Sequence, residues 1–422
     1  MLLNRGGNSS TNLQSIRQQL EAAMPPREIS LSGYPDVEDE LDGFLQALQQ
    51  CPLLKSIQLS TDFLMAIQED DVTRFFETVG NSSIEELHVQ SSSRFHVDFF
   101  EEALLPLRNA ASLKLLEFQD MQVTATHQEF LRDLARTIEN HPTLETLLLH
   151  NFFANDFTNT DHDVLDMILN TCATSMPALK TLELTGCGSH ALSGHSVRIV
   201  SPNAVVALLT ECKTLTKLHL SFLEFTDDHF EALIMPLARN TTLQNLALDY
   251  HDLGSEGFKA TMLAMEDNTT MTSLSLRSLR DIGLEGFAQA MLMLQYNVAV
   301  TTLSVTATPS QTAEIDLYLR MNEAGRGKLR DPSVTLNQWV EILARHSDDL
   351  DVTRNLIQQL PGLCSTGTFV ASERRRRSSL AGGCSTRRAS MTVSKGTTDD
   401  NCFSMSSSDP PSHPRSPAAV TA

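Results

Sequence analysis

Three histidines, His88, His150 and His219, sit at polar positions of short alternating apolar runs, and three imidazoles are a natural start for a zinc centre. Their spacing argues against one. Each lies in a different run, with one further run between successive members, so paired neighbouring strands would hold them ~10 Å apart. No common ion bridges that distance. Seven cysteines, at 51, 172, 187, 212, 364, 384 and 402, show no CxxC or closely paired spacing, which points to neither a zinc site nor a disulfide framework and fits a reducing compartment. No P-loop, GxSxG, HExxH or dinucleotide fingerprint is present. The glycines at 254, 257, 283 and 286 recur near helix starts and are read as turn geometry. The expectation is a protein with no catalytic residues, no metal and no cofactor.

Chemistry done to the chain, rather than by it, is easier to locate. From Ala371 onward, 52 residues hold 12 Ser, 5 Thr and one aromatic, Phe403, a composition too poor in apolar surface to offset chain entropy. This segment is expected to be disordered. It carries 8 Lys or Arg against 4 acids, so residues 1–370 carry 24 minus 48, or -24, of the total -20. Arg376-Arg377-Ser378-Ser379-Leu380 and Arg387-Arg388-Ala389-Ser390-Met391 both fit Arg-Arg-x-Ser followed by an apolar residue. That pattern resembles substrates of basophilic kinases, making Ser379 and Ser390 candidate phosphorylation sites. The four-arginine run has nuclear import as its alternative reading, beside a cytoplasmic location.

The histidines are positioned by a repeat. The pattern L-x-x-L-x-L recurs as Leu54-Ile57-Leu59, Ile84-Leu87-Val89, Leu113-Leu116-Phe118, Leu144-Leu147-Leu149 and Leu179-Leu182-Leu184, and continues to Val300-Leu303-Val305. Successive first positions differ by 30, 29, 31, 35, 36, 28, 28 and 29, and a degenerate earlier copy lies at Ile29 to Leu31. Each run alternates as a half-buried strand should, and helical spacing follows it: Phe230, Leu233, Ile234 and Leu237; Phe258, Met262, Leu263 and Met265; Phe287, Met291, Leu292 and Leu294. A strand-loop-helix unit cannot bury its strand alone, so units stack. Strands pack at ~4.8 Å and helices at ~8 to 10 Å, so the stack curves with strands inside.

These residues resemble leucine-rich repeats, and the step of 28 to 29 with a full helix per unit is similar to the ribonuclease-inhibitor-like subclass. Leu253-Gly254-Ser255-Glu256-Gly257-Phe258 and Asp281-Ile282-Gly283-Leu284-Glu285-Gly286-Phe287 resemble that subclass's strand-to-helix turn. The resemblance implies an α/β fold: a curved solenoid with parallel strands on the concave side, helices on the convex side and helical caps. Where the subclass places Asn or Cys after the strand, this chain keeps Cys187 but has Phe152, Leu223, His251 and Leu279, so an incomplete polar ladder is expected on that rim. The expected organisation is an N-terminal segment and cap over 1–27 (Leu13, Ile16, Leu20, Met24), a solenoid over 28–308, a helical cap over 309–363 and a tail over 364–422. Leu319 to Arg326 and Trp339 resemble the closing segment of uncharacterised algal leucine-rich-repeat proteins. The resemblance implies non-catalytic protein binding. Two rivals are a GTPase-activating role, with Arg198 as the candidate arginine, and a ubiquitin-ligase substrate receptor, for which residues 1–27 are too short to hold an adaptor module.

Alternation assigns the outward, concave positions: Glu86, His88, Glu117, His150, Glu183, Lys217, His219, Asp249 and Arg277. Four acids against two bases give a mild negative bias, and none of these positions is aromatic. The two long steps place adjacent insertions on one rim, one with Phe152, Phe153 and Phe157, the other with Arg198, as a second binding candidate. Acidic runs at 36–42, 69–71 and 227–228 are read as helix-start carboxylates, and the acidic body argues against nucleic acid. No apolar run reaches the ~18 residues of a membrane span. Asn-x-Ser/Thr matches begin at Asn8, Asn81, Asn240 and Asn268, three of them just before a strand, where Asn is expected as a turn residue with positive φ. The partner expected is another protein.

Overall fold

The recurring apolar residues of the repeated run face inward, and ten such runs pair side by side. The structure is a computed structural model, and it describes residues 12–33, 40–91, 100, 102–124, 126–152, 162–186, 200–223, 225–251, 253–278, 282–329 and 333–358. The chain divides into Met1–Cys364 and Ser365–Ala422, the second lying outside the described residues.

One parallel sheet runs in sequence order through β1 (Glu28–Leu31), β2 (Ser56–Ser60), β3 (Glu86–Gln90), β4 (Leu115–Gln119), β5 (Thr146–His150), β6 (Thr181–Thr185), β7 (Lys217–Ser221), β8 (Asn245–Asp249), β9 (Ser273–Leu276) and β10 (Thr302–Val305). The degenerate first copy is therefore a full member. Register is locked by the central apolar residue: Ile57 pairs with Leu87, Leu87 with Leu116, Leu116 with Leu147 and Leu147 with Leu182. A one-residue slip would turn a buried leucine out and a charge in, so the pattern fixes the pairing.

Helices return the chain between strands: α1 (Leu13–Leu20), α2 (Leu41–Gln50), the single turn α3 (Thr61–Leu64), α4 (Glu69–Gly80), α5 (Gln128–Ile138), α6 (His162–Thr174), α7 (Pro202–Glu211), α8 (Asp227–Arg239), α9 (Ser255–Asp267), α10 (Gly283–Tyr296) and α11 (Pro309–Glu323). Between β3 and β4 the described residues include a 3-10 turn, Leu105–Asn109, with Pro106 at its start. Phe230, Leu233 and Leu237 are buried as the spacing requires, as are Phe258, Met262 and Met265. Leu263 and Leu292 are exposed instead. Each lies five residues after Phe258 or Phe287, about 140° around the helix, which carries it away from the sheet.

The asparagines before strands follow a different logic from the expected one. Asn81, Asn240 and Asn268 all have negative φ. The side chain supplies the function instead. Asn297 donates from Nδ2 to Met265 O (2.6 Å) and Asn268 O (2.7 Å), while its Oδ1 accepts from the amides of Ala299 and Val300. Asn268 repeats this one unit earlier, and Asn240 and Asn322 extend it. This ladder satisfies helix C-terminal carbonyls that would otherwise be buried without partners. Asn268 is buried in it, which removes it as a glycan acceptor.

Leu13 and Leu20 of α1 join the core, whereas Met24 is exposed. At the other end α11 packs with α12 (Arg326–Leu329), α13 (Leu336–Arg345) and α14 (Leu350–Gln358). Arg326 is buried there, donating to the Leu294 and Asn297 carbonyls at the C-terminal end of α10 with its guanidinium 5.2 Å from the Tyr318 ring. A cation at a helix C-terminus answers its negative end.

Candidate functional site

Outward side chains of β3 to β7 form one connected row of charge. His88 stands opposite Glu117, Glu117 opposite Leu148, Leu148 opposite Glu183, and Glu183 opposite His219. His150, two residues beyond Leu148, leans back over it and meets both carboxylates. His88 Nδ1 lies 2.5 Å from Glu117 Oε2; His150 Nδ1 lies 3.3 Å from Glu117 Oε1, and its Nε2 lies 3.0 Å from Glu183 Oε2. Lys217 Nζ closes on Glu183 Oε1 at 2.6 Å, and His219 Nε2 bonds Ser221 Oγ at 2.6 Å. Glu86 approaches His88 Nε2 at 3.8 Å.

The row orders its own protons. Hydrogen bonds to Glu117 and then Glu183 raise His150 to about 9, outweighing its partial burial. The bonds from His150 and then His88 hold Glu117 down at about 2, and those from His150, His219 and Lys217 hold Glu183 well below the usual carboxylate range. His88 is raised by its bond to Glu117. Imidazolium therefore bridges two carboxylates. The His-to-His gaps that spoke against zinc are filled by glutamates, and among the described residues no group of three or more His, Cys, Asp or Glu could hold a metal ion.

Exposure separates three of the four acids from the bases. The carboxylates of Glu117 and Glu183 keep 17% and 13% of their side-chain surface, and Asp249 keeps 1%, while Lys217 and Arg277 keep 48% and 51%. Asp249 is thus a buried anchor and not the surface contact that alternation assigned. Its carboxylate accepts from Ser275 Oγ (2.7 Å), from the Arg277 amide (2.8 Å), and from Arg277 Nε and Nη2 (3.1 and 2.8 Å). Of the four acids on this face only Glu86 stands in solvent, with 51% of its side-chain surface exposed.

Clamped in this way, Arg277 lies 5.5 Å over the Tyr250 ring, and Tyr250 stacks on Phe222 at 4.4 Å with 9° between planes. Both aromatics follow their strand directly and have positive φ, 57° for Phe222 and 60° for Tyr250. Asp120 and Asn151 hold the same place in earlier repeats with φ 60° and 48°, types that tolerate a left-handed turn; bulky aromatics there cost ~1 to 2 kcal/mol each. Phe222 N donates to Asp249 O and Tyr250 N to Arg277 O, which keep the turn in place. Counting outward positions only as far as the strand's last residue misses this pair. The signal was an aromatic where other repeats place Asp, Asn or Gly.

The rim candidates divide. Phe152 is fully buried, with its ring 6.1 Å from Phe130 and 6.3 Å from Phe118, so it is core and not a rim contact. It fills the place that a polar ladder residue would take, and its backbone N–H and C=O bond Thr185 and Val123. His251, at the same place three repeats later, keeps the polar role: its Nε2 meets Leu220 O at 2.9 Å, its ring stacks on Phe225, and burial pushes its pKa down to about 4. Phe153, Phe157 and Arg198 lie outside the described residues, as do Ser379, Ser390 and Cys187. Gly254 and Gly257 have no turn role; their amides bond Asp227 Oδ1, and a Cβ on either would strike that carboxylate at 2.5 Å. Gly283, with φ +65°, is the one of the four that needs glycine's freedom. Cys51, Cys172 and Cys212 are free and buried, and burial pushes the Cys172 thiol far up, away from reactivity. No helix among the described residues is long and apolar enough to cross a membrane.

No protein-family model matches the chain, and no curated protein matches its sequence. Solved structures similar to it include the actin-binding site 2 of leiomodin-1 (16% identity, TM-score 0.32, 41% of this chain and 95% of that one). The tropomodulin C-terminal domain of Caenorhabditis elegans is another (15%, 0.30, 40% and 98%), as is the Rad7 and Elc1 complex of yeast (15%, 0.33, 71% and 81%). The fold stands on the chain's own ten-strand ladder.

Proposed function

We propose that the protein is a non-catalytic scaffold that binds another protein across the concave face of β3 to β9. The observation that supports this is the bonded row His88-Glu117-His150-Glu183-His219. Its side chains are ordered before any partner arrives, so their conformational entropy is already spent, and binding on such a surface costs less. An enzyme reading finds no comparable support: each carboxylate and imidazole of the row is engaged by a neighbour. The inserted rim and a tail phosphorylated at Ser379 and Ser390 by a basophilic kinase belong to the same proposal, the tail as the regulated part. Capture by the full chain, compared with capture by Leu148→Glu at the centre of the row and by Leu263→Glu on the convex side, tests it. The concave variant should lose the partners that the convex variant keeps. Equal capture by both would refute a concave site.

A further inference from the structure

Between β7 and β9 the concave face changes character. The floor is small, with Asn245 and Ala247 on β8 and Ser273 and Ser275 on β9; Lys217 and His219 stand along one side on β7, and Arg277 follows β9 at the end where the strands exit. At the end where the strands exit, the floor meets the Phe222–Tyr250 stack. A trough with a floor two strands wide, donors along one side and a guanidinium and rings at the exit end matches an extended chain lying along the strands.

The chemistry of that chain follows from which groups are sunk and which stand proud. Glu183 and Asp249 lie beneath Lys217 and Arg277 and hold them in place. What faces the trough is therefore N–H: two Lys217 protons that Glu183 does not use and the outer edge of a guanidinium whose inner edge is fixed by Asp249. A guanidinium held on one side by a buried carboxylate and stacked on a ring cannot turn away, so it is preorganised for a second, planar acceptor. The aromatics point the same way. Phe222 and Tyr250 hold a backbone conformation that suits glycine or asparagine, and strain of this kind persists where a side chain is needed at a fixed place.

We propose that this trough binds an acidic peptide segment of a partner protein, its carboxylates on Arg277 and Lys217 and one apolar or aromatic side chain against Phe222 and Tyr250. This rests on the concave-face reading above and names the partner's chemistry. The acidic remainder of the body repels such a segment at long range, so specificity comes from the trough and not from net charge, and added salt should weaken binding less than for an oppositely charged pair.

The test uses the full chain and two labelled synthetic peptides of equal length, Glu-Ser repeats carrying one Phe and the Lys-Ser counterpart, read by fluorescence anisotropy. The acidic peptide should bind and compete with any captured partner. Lys217→Gln and the double variant Asp249→Ser/Arg277→Gln, which removes the buried carboxylate together with its guanidinium, should each weaken binding ~10-fold or more. Phe222→Gly separates function from structure: it relieves the left-handed strain, so the melt should hold or rise while binding falls. A fall in both would make the stack a structural brace and overturn its binding role. If the Lys-Ser peptide binds instead and Phe222→Gly blocks it, the acidic class is wrong while the concave face stands. Acidic-peptide binding that survives every variant overturns the trough as the site. If neither peptide binds but a partner captured through Leu148 does, the acidic class also fails and the concave reading remains.

Discussion

His150 is the most exposed test of the charge row, because its proton is held by two carboxylates on different repeats. Raising its pKa from 6.5 to about 9 corresponds to at most ~3.4 kcal/mol of favoured protonation. About a third of the side chain meets solvent, so screening leaves ~1 to 2 kcal/mol. The depressed pKa of Glu117 is the same interaction seen from the other partner and is not added. A raised histidine stabilises the fold fully below its unfolded value of about 6.5 and loses that contribution as pH rises through about 9. The carboxylates act in the other direction, their contribution present above about 4.5 and lost as Glu117 protonates towards about 2. The row is thus at full strength between about pH 4.5 and 6.5. In urea unfolding, the stability gap between wild type and His150→Gln should shrink by ~1 to 2 kcal/mol from about pH 6 to about pH 10. The His150 ring resonance, followed by NMR, should titrate near 9. A midpoint near 6.5 with a pH-independent gap would refute the bridged imidazolium.

Three further outcomes are expected. Asn297→Ala, which leaves two carbonyls and two amides buried without their side-chain partner, should cost ~2 to 4 kcal/mol in urea unfolding; a loss below ~0.5 would contradict the ladder. Phe152→Ser should cost ~3 to 5 kcal/mol by emptying its place between Phe118 and Phe130, and a wild-type melt would return it to the surface. Incubation with a basophilic kinase should phosphorylate Ser379 and Ser390, detected by mass spectrometry, and Arg377→Ala with Arg388→Ala should suppress it; unchanged modification would remove the arginines from recognition.

The strands were readable because two apolar residues flank one outward position in each, and even the degenerate copy at Ile29 and Leu31 obeys this; Leu148 and Ala247 show that the outward residue need not be polar. Which outward residues share the face was readable for the same reason. What they do to one another was not: whether His150 reaches Glu117 and Glu183 depends on a side chain crossing Leu148, a rotamer that periodicity does not encode. Which charges meet solvent was not readable for a similar reason, since counting treats the buried Asp249 and the exposed Arg277 as equals. Phe152 was mistaken for a rim residue because an insertion follows it, although its place in the repeat already required a core side chain. The asparagines were assigned to turns by residue type, when their amide geometry, able to donate to one repeat and accept from the next, was the reason for them.

Site-specific photo-crosslinking in the full chain asks where a partner sits. With the crosslinker placed in turn at 148 and 247 on the concave face, and at 263 and 292 on the convex helices, a concave binding surface predicts partner adducts from the first pair and none from the second. Adducts from 263 and 292 alone would contradict it.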